Sequence, residues 1–473
     1  MKKFVLLLPL TWILAYSVPA EERPLPNIVV IFIDDLGYAD IGPFGGDIPT
    51  PNLDVLAREG RCFTNFSVSS PVCSASRAAL MTGCYHRRVG IEGALFPSSP
   101  IGLDPNEQTL AEICKQKGYA TACFGKWHLG DQPIFLPTNQ GFDEYFGLPY
   151  SNDMWPFHPD VSHLPDLPLL DGTRIVNPKV DDEIQSQLTT LYTERAVRFI
   201  ENNKDRPFFL YLPHTMVHVP LYVSNKFAGK SSQGLFGDVV MEVDWSVGQI
   251  MQTLHANHLE KNTLIIFTSD NGPWLSYGEH AGSAKPHREG KATVFEGGVR
   301  VPTLFWFPEK IPAATRCNEF ASTIDILPTI AHWIGAKLPE AKIDGKDIRP
   351  LLFGEPGAKS PHDTFAVYFR GQLQTIRDSR WKLVFPHTYA TLAGRSGGVN
   401  GSPAAYEFDN TELVLYDLDS DISETTDVKN QYPDIVSRLL HAAEEIKAEL
   451  GEGNHFGPGT RLPRRLEPMA DSG

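Results

Sequence analysis

Cysteine is scarce: six residues in 473. Cys62, Cys73, Cys84, Cys114, Cys123 and Cys317 are too few to hold a disulfide scaffold, and their pairing cannot be deduced from spacing. Positive charge is also in deficit, with 42 Lys and Arg against 57 Asp and Glu and a net charge of −15. A nucleic-acid binder is normally basic, so that class is set aside. Long-range attraction to a polyanion is excluded as well, so an anionic substrate requires a local cationic pocket. No internal repeat and no long low-complexity tract is present. After the N-terminus no apolar run is long enough to span a bilayer. The one such run, in MKKFVLLLPLTWILAYSVPA, follows two lysines and ends in Val18-Pro19-Ala20. It reads as a signal peptide cleaved after Ala20, hence an exported protein with no membrane anchor in the mature chain. No cysteine follows it, which argues against a lipoprotein anchor.

What remains exceeds one simple core, and one large domain (21–355) plus a smaller one (356–473) is expected. NIVVIFIDD (27–35) reads as a buried parallel strand ending in acids. TPNLDVLAREG (50–60) reads as a helix capped by Thr50 and stopped at Gly60. DPNEQTLAEICKQKG (104–118) reads as another, with Asp104 and Glu107 as its capping box. YATACFGKW, PFFLYL, NTLIIFTSDNG and TLFWF read as further strands, with helices near 187–203, 238–257 and 323–336. That alternation predicts an α/β fold around a mostly parallel sheet flanked by helices. After GEPGAKSPHD, the runs TFAVYF, LQTIRD, WKLVF and ELVLYDL predict an antiparallel sheet, followed by a helix near 432–450. This is a small α+β subdomain.

Ligands of open α/β sheets bind beyond the carboxyl ends of the strands. There the first strand leaves Asp34 and Asp35, and LIIFTSDNGP leaves Asp270 and Asn271. Three carboxylates and an amide oxygen are a hard donor set suited to Ca²⁺ or Mg²⁺. The same edge receives Lys126 and His128 from GKWHLG and His214 and His218 from PHTMVHVP. Lys291 follows in REGKATVFEGG. Lys126, Lys291 and Arg77 can hold an anion, and His128 and His218 can move protons. Lys285, His280 and His287 have weaker claims. Cys73, in SPVCSASRAALMTG, falls at a predicted helix N-terminus, where the helix dipole lowers a thiol pKa. Three readings stay open for it: a thiolate nucleophile, a precursor residue changed after synthesis, or a buried inert thiol.

CSASR fits the C-x-[PA]-S-R signature of the sulfatases. NIVVIFIDDLGYADIGPFGG, TPNLDVLAREG, GYATACFGKWHLG, GFDEYFGLPYSND, TSDNGP and GKATVFEGGVRVP resemble blocks of that family in the same order. WKLVF and ELVLYDLDSD resemble segments of its small domain. The resemblance covers nearly the whole mature chain and is nearest to the arylsulfatase A and N-acetylgalactosamine-6-sulfatase branch, with its alkaline-phosphatase-like fold. It implies that a maturation enzyme oxidises Cys73 to formylglycine and that Asp34, Asp35, Asp270 and Asn271 bind Ca²⁺ beside it. It also implies that Arg77 steadies the formylglycine hydrate, with Lys126 and His128 nearby. His218 and Lys291 would act on the bridging ester oxygen, and Ser151 would contact the sulfate. The cysteine is then raw material, because a hydrate carries the second hydroxyl that serine lacks for releasing sulfate. The implied substrate is a sulfated carbohydrate, with aryl sulfates as surrogates.

Two other classes are weighed. A phosphoesterase of the alkaline phosphatase superfamily would use Ser or Thr and two zinc ions, yet the loop here reads SDNGP where such enzymes tend to read SDHG. A non-catalytic sulfated-glycan binder would have lost catalytic residues, and none is lost. WPFHPD (155–160) supplies aromatics for stacking on a sugar or for packing. Asn65 and Asn400 lie in N-x-[ST] sequons.

Overall fold

The computed structural model describes residues 25–466, so the leader expected at 1–20 lies outside the described residues. The run NIVVIFI forms β1 (Asn27–Ile33), buried along its whole length. Its side chains alternate between two cores: Ile28, Val30 and Phe32 enter one, Val29, Ile31 and Ile33 the other. A strand covered on both faces needs a continuous apolar run, which is what the sequence supplies.

The same sheet contains β2 (Arg61–Phe63), β3 (Ala120–Phe124), β4 (Glu144–Gly147), β5 (Leu169–Asp171) and β6 (Arg174–Asn177). It is completed by β7 (Phe208–Pro213), β8 (Thr263–Ser269), β9 (Thr303–Trp306) and β10 (Thr315–Cys317). The spatial order is β10-β2-β9-β8-β1-β7-β3-β4-β5-β6. β8, β1, β7, β3 and β4 form a continuous parallel block. Only β5 and β9 run against the rest. The mostly parallel sheet expected from the sequence is therefore present, with TLFWF as its antiparallel exception.

Helices cover both faces. On one side lie α1 (Pro51–Glu59), α4 (Leu188–Asn202) and α5 (Gly234–Ala256), which contribute Leu53, Tyr192, Phe199, Val243 and Ile250. On the other lie α2 (Cys73–Thr82), α3 (Leu110–Lys115) and α6 (Ile326–Ile334), which contribute Ala79, Leu80, Ile113 and Leu327. Two cap assignments are corrected. Thr50 makes no side-chain cap to α1; its hydroxyl accepts the Gly42 amide at 2.9 Å instead. The capping box of the next helix is Thr109 with Glu112, and the helix begins only at Leu110. Asp104 accepts the Asn106 amide and closes a turn upstream of it. Two acid-containing frames compete in DPNEQTLAE, and Thr109 has the one that leads into the buried residues Leu110, Ala111, Ile113 and Cys114.

The smaller unit is a four-stranded antiparallel sheet of β11 (Phe365–Phe369), β12 (Gln372–Arg377), β13 (Trp381–Val384) and β14 (Val414–Asp417). α7 (Pro433–Leu450) accompanies it. A buried ionic cluster joins it to the main sheet's loops. Glu296 accepts from Arg377 at 3.1 and 3.2 Å and from Lys382 at 2.9 Å, and Glu424 pairs with the same lysine at 2.8 Å. Such a network is stable only while every member keeps its partner. Asn65 belongs to it, accepting from Arg300 and Arg377, and is 5% exposed. Its sequon is therefore inaccessible in the folded chain, whereas Asn400 is exposed. Among the described residues, no helix is long and apolar enough to cross a membrane.

Candidate active site

The carboxyl ends of β1 and β8 are laced together. The Asp270 amide donates to the Ile33 carbonyl at 3.0 Å, and the Leu36 amide donates to Ser269 Oγ at 3.0 Å. The Asp35 amide donates to Asp270 Oδ1 at 3.1 Å. Asp35 has φ +61°, a left-handed conformation that Asp tolerates better than most residues, and it directs a second carboxylate inward directly after the first. Asp34, Asp35, Asp270 and Asn271 are all buried.

α2 enters this edge with Cys73 as its first residue and Val72 as an uncapped N-cap. Its first-turn amides are thus aimed at the acids' surroundings. Arg77, one turn later, is fully buried; Nε and Nη2 donate to Asp270 Oδ2 at 3.0 and 2.8 Å. Its Nη1 donates to the Lys126 carbonyl at 2.9 Å, and Asp34 Oδ2 lies 3.6 Å from Nη2. Arg77 therefore faces the acids and is closed off from solvent.

β3 ends in Gly125, whose φ is +136° and whose absent Cβ would stand 1.9 Å from the Pro213 carbonyl oxygen. Only glycine lets the chain pass there. The next amides are then pinned: Lys126 to the Pro213 carbonyl at 2.8 Å, Trp127 to Leu148 at 2.9 Å, and His128 to Pro149 at 3.0 Å. Lys126 Nζ donates to Asp34 Oδ2 and to Ser151 Oγ, the latter at 3.0 Å. Lys291 Nζ is 2.8 Å from Asp35 Oδ2 and lies over the Trp274 ring, 4.6 Å from its centroid. His218 holds the Val219 carbonyl through Nδ1 and places Nε2 3.6 Å from Asp35 Oδ2. His128 Nε2 is 2.9 Å from the Leu95 carbonyl, and its buried Nδ1 has no partner.

One cavity of about 370 Å³ opens onto this set, lined by Cys73, His128, Ser151, His218 and Lys291. One ligand atom from each of Asp34, Asp35, Cys73 and His218 falls within 4.8 Å of the others. Asp34 Oδ1 and Asn271 Oδ1 are buried without any donor. Unpaired, buried, hard oxygens are costly unless a cation takes them, so the donor set fits calcium. Asp270 is tied more tightly than a free ligand, with Arg77 on one oxygen and the Asp35 amide on the other.

The electrostatics correct one expectation. The helix dipole does not leave Cys73 as a low-pKa thiolate. Burial pushes its thiol up to about 12, against the lowering pull of Lys126 and Lys291. The thiol is 2% exposed, and desolvation outweighs the pull of the two lysines. Desolvation also drives His128 well below the usual histidine range and lowers His218, with Asp35 and Asp34 pulling the latter back. Asp34 stays well below the carboxylate range despite burial, because Lys126, His218 and Arg77 surround it.

Other predicted residues fall outside the cavity. His214 is buried against Ser246 Oγ at 3.1 Å, His287 packs on the Tyr38 ring, and His280 and Lys285 line a separate cavity of about 840 Å³. Trp155 is a packing residue, in edge contact with Phe157 and Tyr222. The cavity instead recruits Phe96, Asp153, Met154, His158, Trp274 and, from the small subdomain, Phe369 and Arg370. Asp153 in GFDEYFGLPYSND, His158 in WPFHPD and Phe369 in TFAVYF lie in segments the sequence singled out, but none of these residues was given a site role there.

Residues 26–336 match the sulfatase family model, and residues 360–464 match the model of the C-terminal region of aryl-sulfatase. The chain belongs to the sulfatase family, enzymes that hydrolyse sulfate esters. It is 37% identical to arylsulfatase A of Homo sapiens, over 95% of this chain and 92% of that one. It is 34% identical to N-acetylgalactosamine-6-sulfatase of Rattus norvegicus, over 95% of this chain and 90% of that one. The crystal structure of Ps i-CgsB in complex with k-i-k-neocarrahexaose superposes with a TM-score of 0.76 at 29% identity, covering 91% of this chain and 95% of that one.

Proposed function

We propose that this enzyme removes sulfate from a sulfated carbohydrate, with residue 73 matured to formylglycine and calcium held by Asp34, Asp35, Asp270 and Asn271. The observation that carries the reading is that Cys73, Lys291 and two histidines line one cavity, with Lys126 on Ser151 and the unpartnered oxygens of Asp34 and Asn271 buried behind it. Relatives named for sulfated-sugar substrates and a neighbour crystallised with a carrageenan-type oligosaccharide support the substrate class. The matured residue would supply a hydroxyl nucleophile, and a cation held by these four residues would draw charge from the sulfate oxygens.

The chain's own groups do the rest. Lys291, at the cavity wall, offsets charge that builds on the sulfate oxygens, and Lys126 does so from beside Ser151. The Val219 carbonyl fixes the ring of His218, which leaves Nε2 as the nitrogen that donates a proton to the departing ester oxygen. Asp35 beside Nε2 offsets part of the desolvation that lowers the ring's pKa. Arg77 uses three of its five N–H donors within the protein, two on Asp270 and one on the Lys126 carbonyl. Its role is to hold Asp270 and the Lys126 loop in place. The expected leader adds export to the reading, with the maturation enzyme acting before the chain closes over a buried Cys73.

The test is the mass of the tryptic peptide Cys62–Arg77 from protein co-expressed with a formylglycine-generating enzyme. An aldehyde at residue 73 together with aryl sulfate hydrolysis is the expected result. A thiol at 73 under those conditions removes the proposed nucleophile and refutes the mechanism.

A further inference from the structure

The turn at the cavity mouth is built against its own sequence. Phe369 and Gln372 are paired across β11 and β12, so Arg370 and Gly371 alone form the hairpin loop. Both have positive φ, +50° and +77°. Two-residue loops of this kind favour Asn-Gly, Asp-Gly or Gly-Gly, because an ordinary L side chain crowds its own backbone there. Arginine at the first position is strained where asparagine would not be, and strain of that sort concentrates where a side chain is used.

The turn is also braced from behind. The Gly453 amide donates to the Gly371 carbonyl at 2.7 Å. The buried Arg87 guanidinium donates to the carbonyls of Gly453 and His455 at 3.0 and 2.8 Å. Arg370 itself is exposed and lines the cavity that contains Cys73, His218 and Lys291. Among the described residues no carboxylate pairs with it; its guanidinium lies over the Phe369 ring, 5.2 Å from the centroid. The deeper cations differ, with Lys126 on Asp34 and Lys291 on Asp35. So do its neighbours in the sheet, with Arg377 on Glu296 and Arg380 on Asp417. In a chain of net charge −15, an unpaired cation on a strained, braced turn at the substrate's entrance calls for an anion from outside.

We propose that Arg370 is a specificity-determining residue that takes a second anionic group, a sulfate or a carboxylate, on a glycan whose scissile sulfate lies at residue 73. The proposal rests on the sulfatase reading above and deepens it: the preferred substrate is a multiply charged sulfated saccharide. A guanidinium fork matches both anions in two-point geometry. Phe96, Trp274 and Phe369 supply apolar faces for the ring between the two charges.

The test is calorimetric binding of matched disaccharides to calcium-loaded protein carrying Cys73→Ala, which has no nucleophile at residue 73 and keeps the ligand intact. The ligands are a singly sulfated neutral disaccharide, the same compound with a second sulfate, and the same compound with a uronate. The doubly charged ligands are expected to bind roughly tenfold more tightly, as one charge-assisted contact at an exposed site supplies. Adding Arg370→Asn should erase that preference with no fall in melting temperature, since asparagine accepts the left-handed backbone, and Arg370→Lys should retain part of it. The second sulfate and the uronate are separate arms, so the favoured anion is read directly. The proposal is overturned if no ligand binds, if the preference is missing, if it survives Arg370→Asn, or if that variant weakens all three ligands alike. Failure of the sulfatase reading is a different outcome, absence of aryl sulfate hydrolysis by the matured wild-type enzyme, and it leaves the affinity ratios readable.

Discussion

Replacing Arg77 by methionine keeps much of the side-chain volume and removes the guanidinium. Three hydrogen bonds go with it: two to Asp270 Oδ2 and one to the Lys126 carbonyl. Both partners are fully buried, so water does not replace the lost donors. Breaking a buried pair from one side costs about 3–5 kcal/mol, because the remaining charge is left uncompensated. The orphaned carbonyl adds about 1–3 kcal/mol, and relaxation of the loop absorbs part of the total. The expected loss is therefore about 3–5 kcal/mol, a large fraction of the roughly 5–15 kcal/mol that holds a domain together. The assay is urea unfolding of Arg77→Met, Asp270→Asn and the double variant, each in chelator and in calcium. In chelator the double variant should lose less than the sum of the singles, with a coupling of roughly 1–3 kcal/mol. Calcium should shrink the cost of Arg77→Met, because a cation at Asp34 and Asp270 restores the missing positive charge. A loss below about 1 kcal/mol in chelator, or strict additivity, would refute the claim that this pair is what fixes the acids.

Two further predictions follow from neighbouring observations. Cys73→Ser exchanges one small buried group for another at the start of α2 and should fold with a melting temperature near that of wild type, yet fail to turn over more than once; sustained aryl sulfate turnover at the native rate would sink the formylglycine reading. His214 is buried and its pKa is lowered to about 3 by desolvation, so the folded state refuses a proton that the unfolded chain accepts near 6.5, and stability is lost as pH falls through that window. Replacing it with glutamine should flatten the unfolding free energy against pH by about 1.4 kcal/mol per unit between roughly pH 6 and 4, and an unchanged slope would show that His214 takes up its proton while folded.

The sequence by itself determined the sheet and its reactive edge. An unbroken apolar run has to be covered on both faces, and the acids that end such a run have to emerge at its carboxyl end. That is why NIVVIFIDD and LIIFTSDNG place Asp34, Asp35, Asp270 and Asn271 together at one edge. Positions fixed by strand ends and backbone turns, such as Lys126 after Gly125, were legible for the same reason. The tertiary structure alone decided what depends on packing between segments distant in the chain. Burial raised the thiol pKa of Cys73, a desolvation that its place at a helix start does not reveal. Competition between two cap frames, settled by which one buried its apolar residues, moved the start of α3 to Leu110. The cavity walls, Phe96, Trp274, Phe369 and Arg370, come from three separate segments with no shared periodicity. Their meeting is set by how the small subdomain docks on the main sheet through Glu296, Arg377 and Lys382, contacts that span 81 and 86 residues of chain.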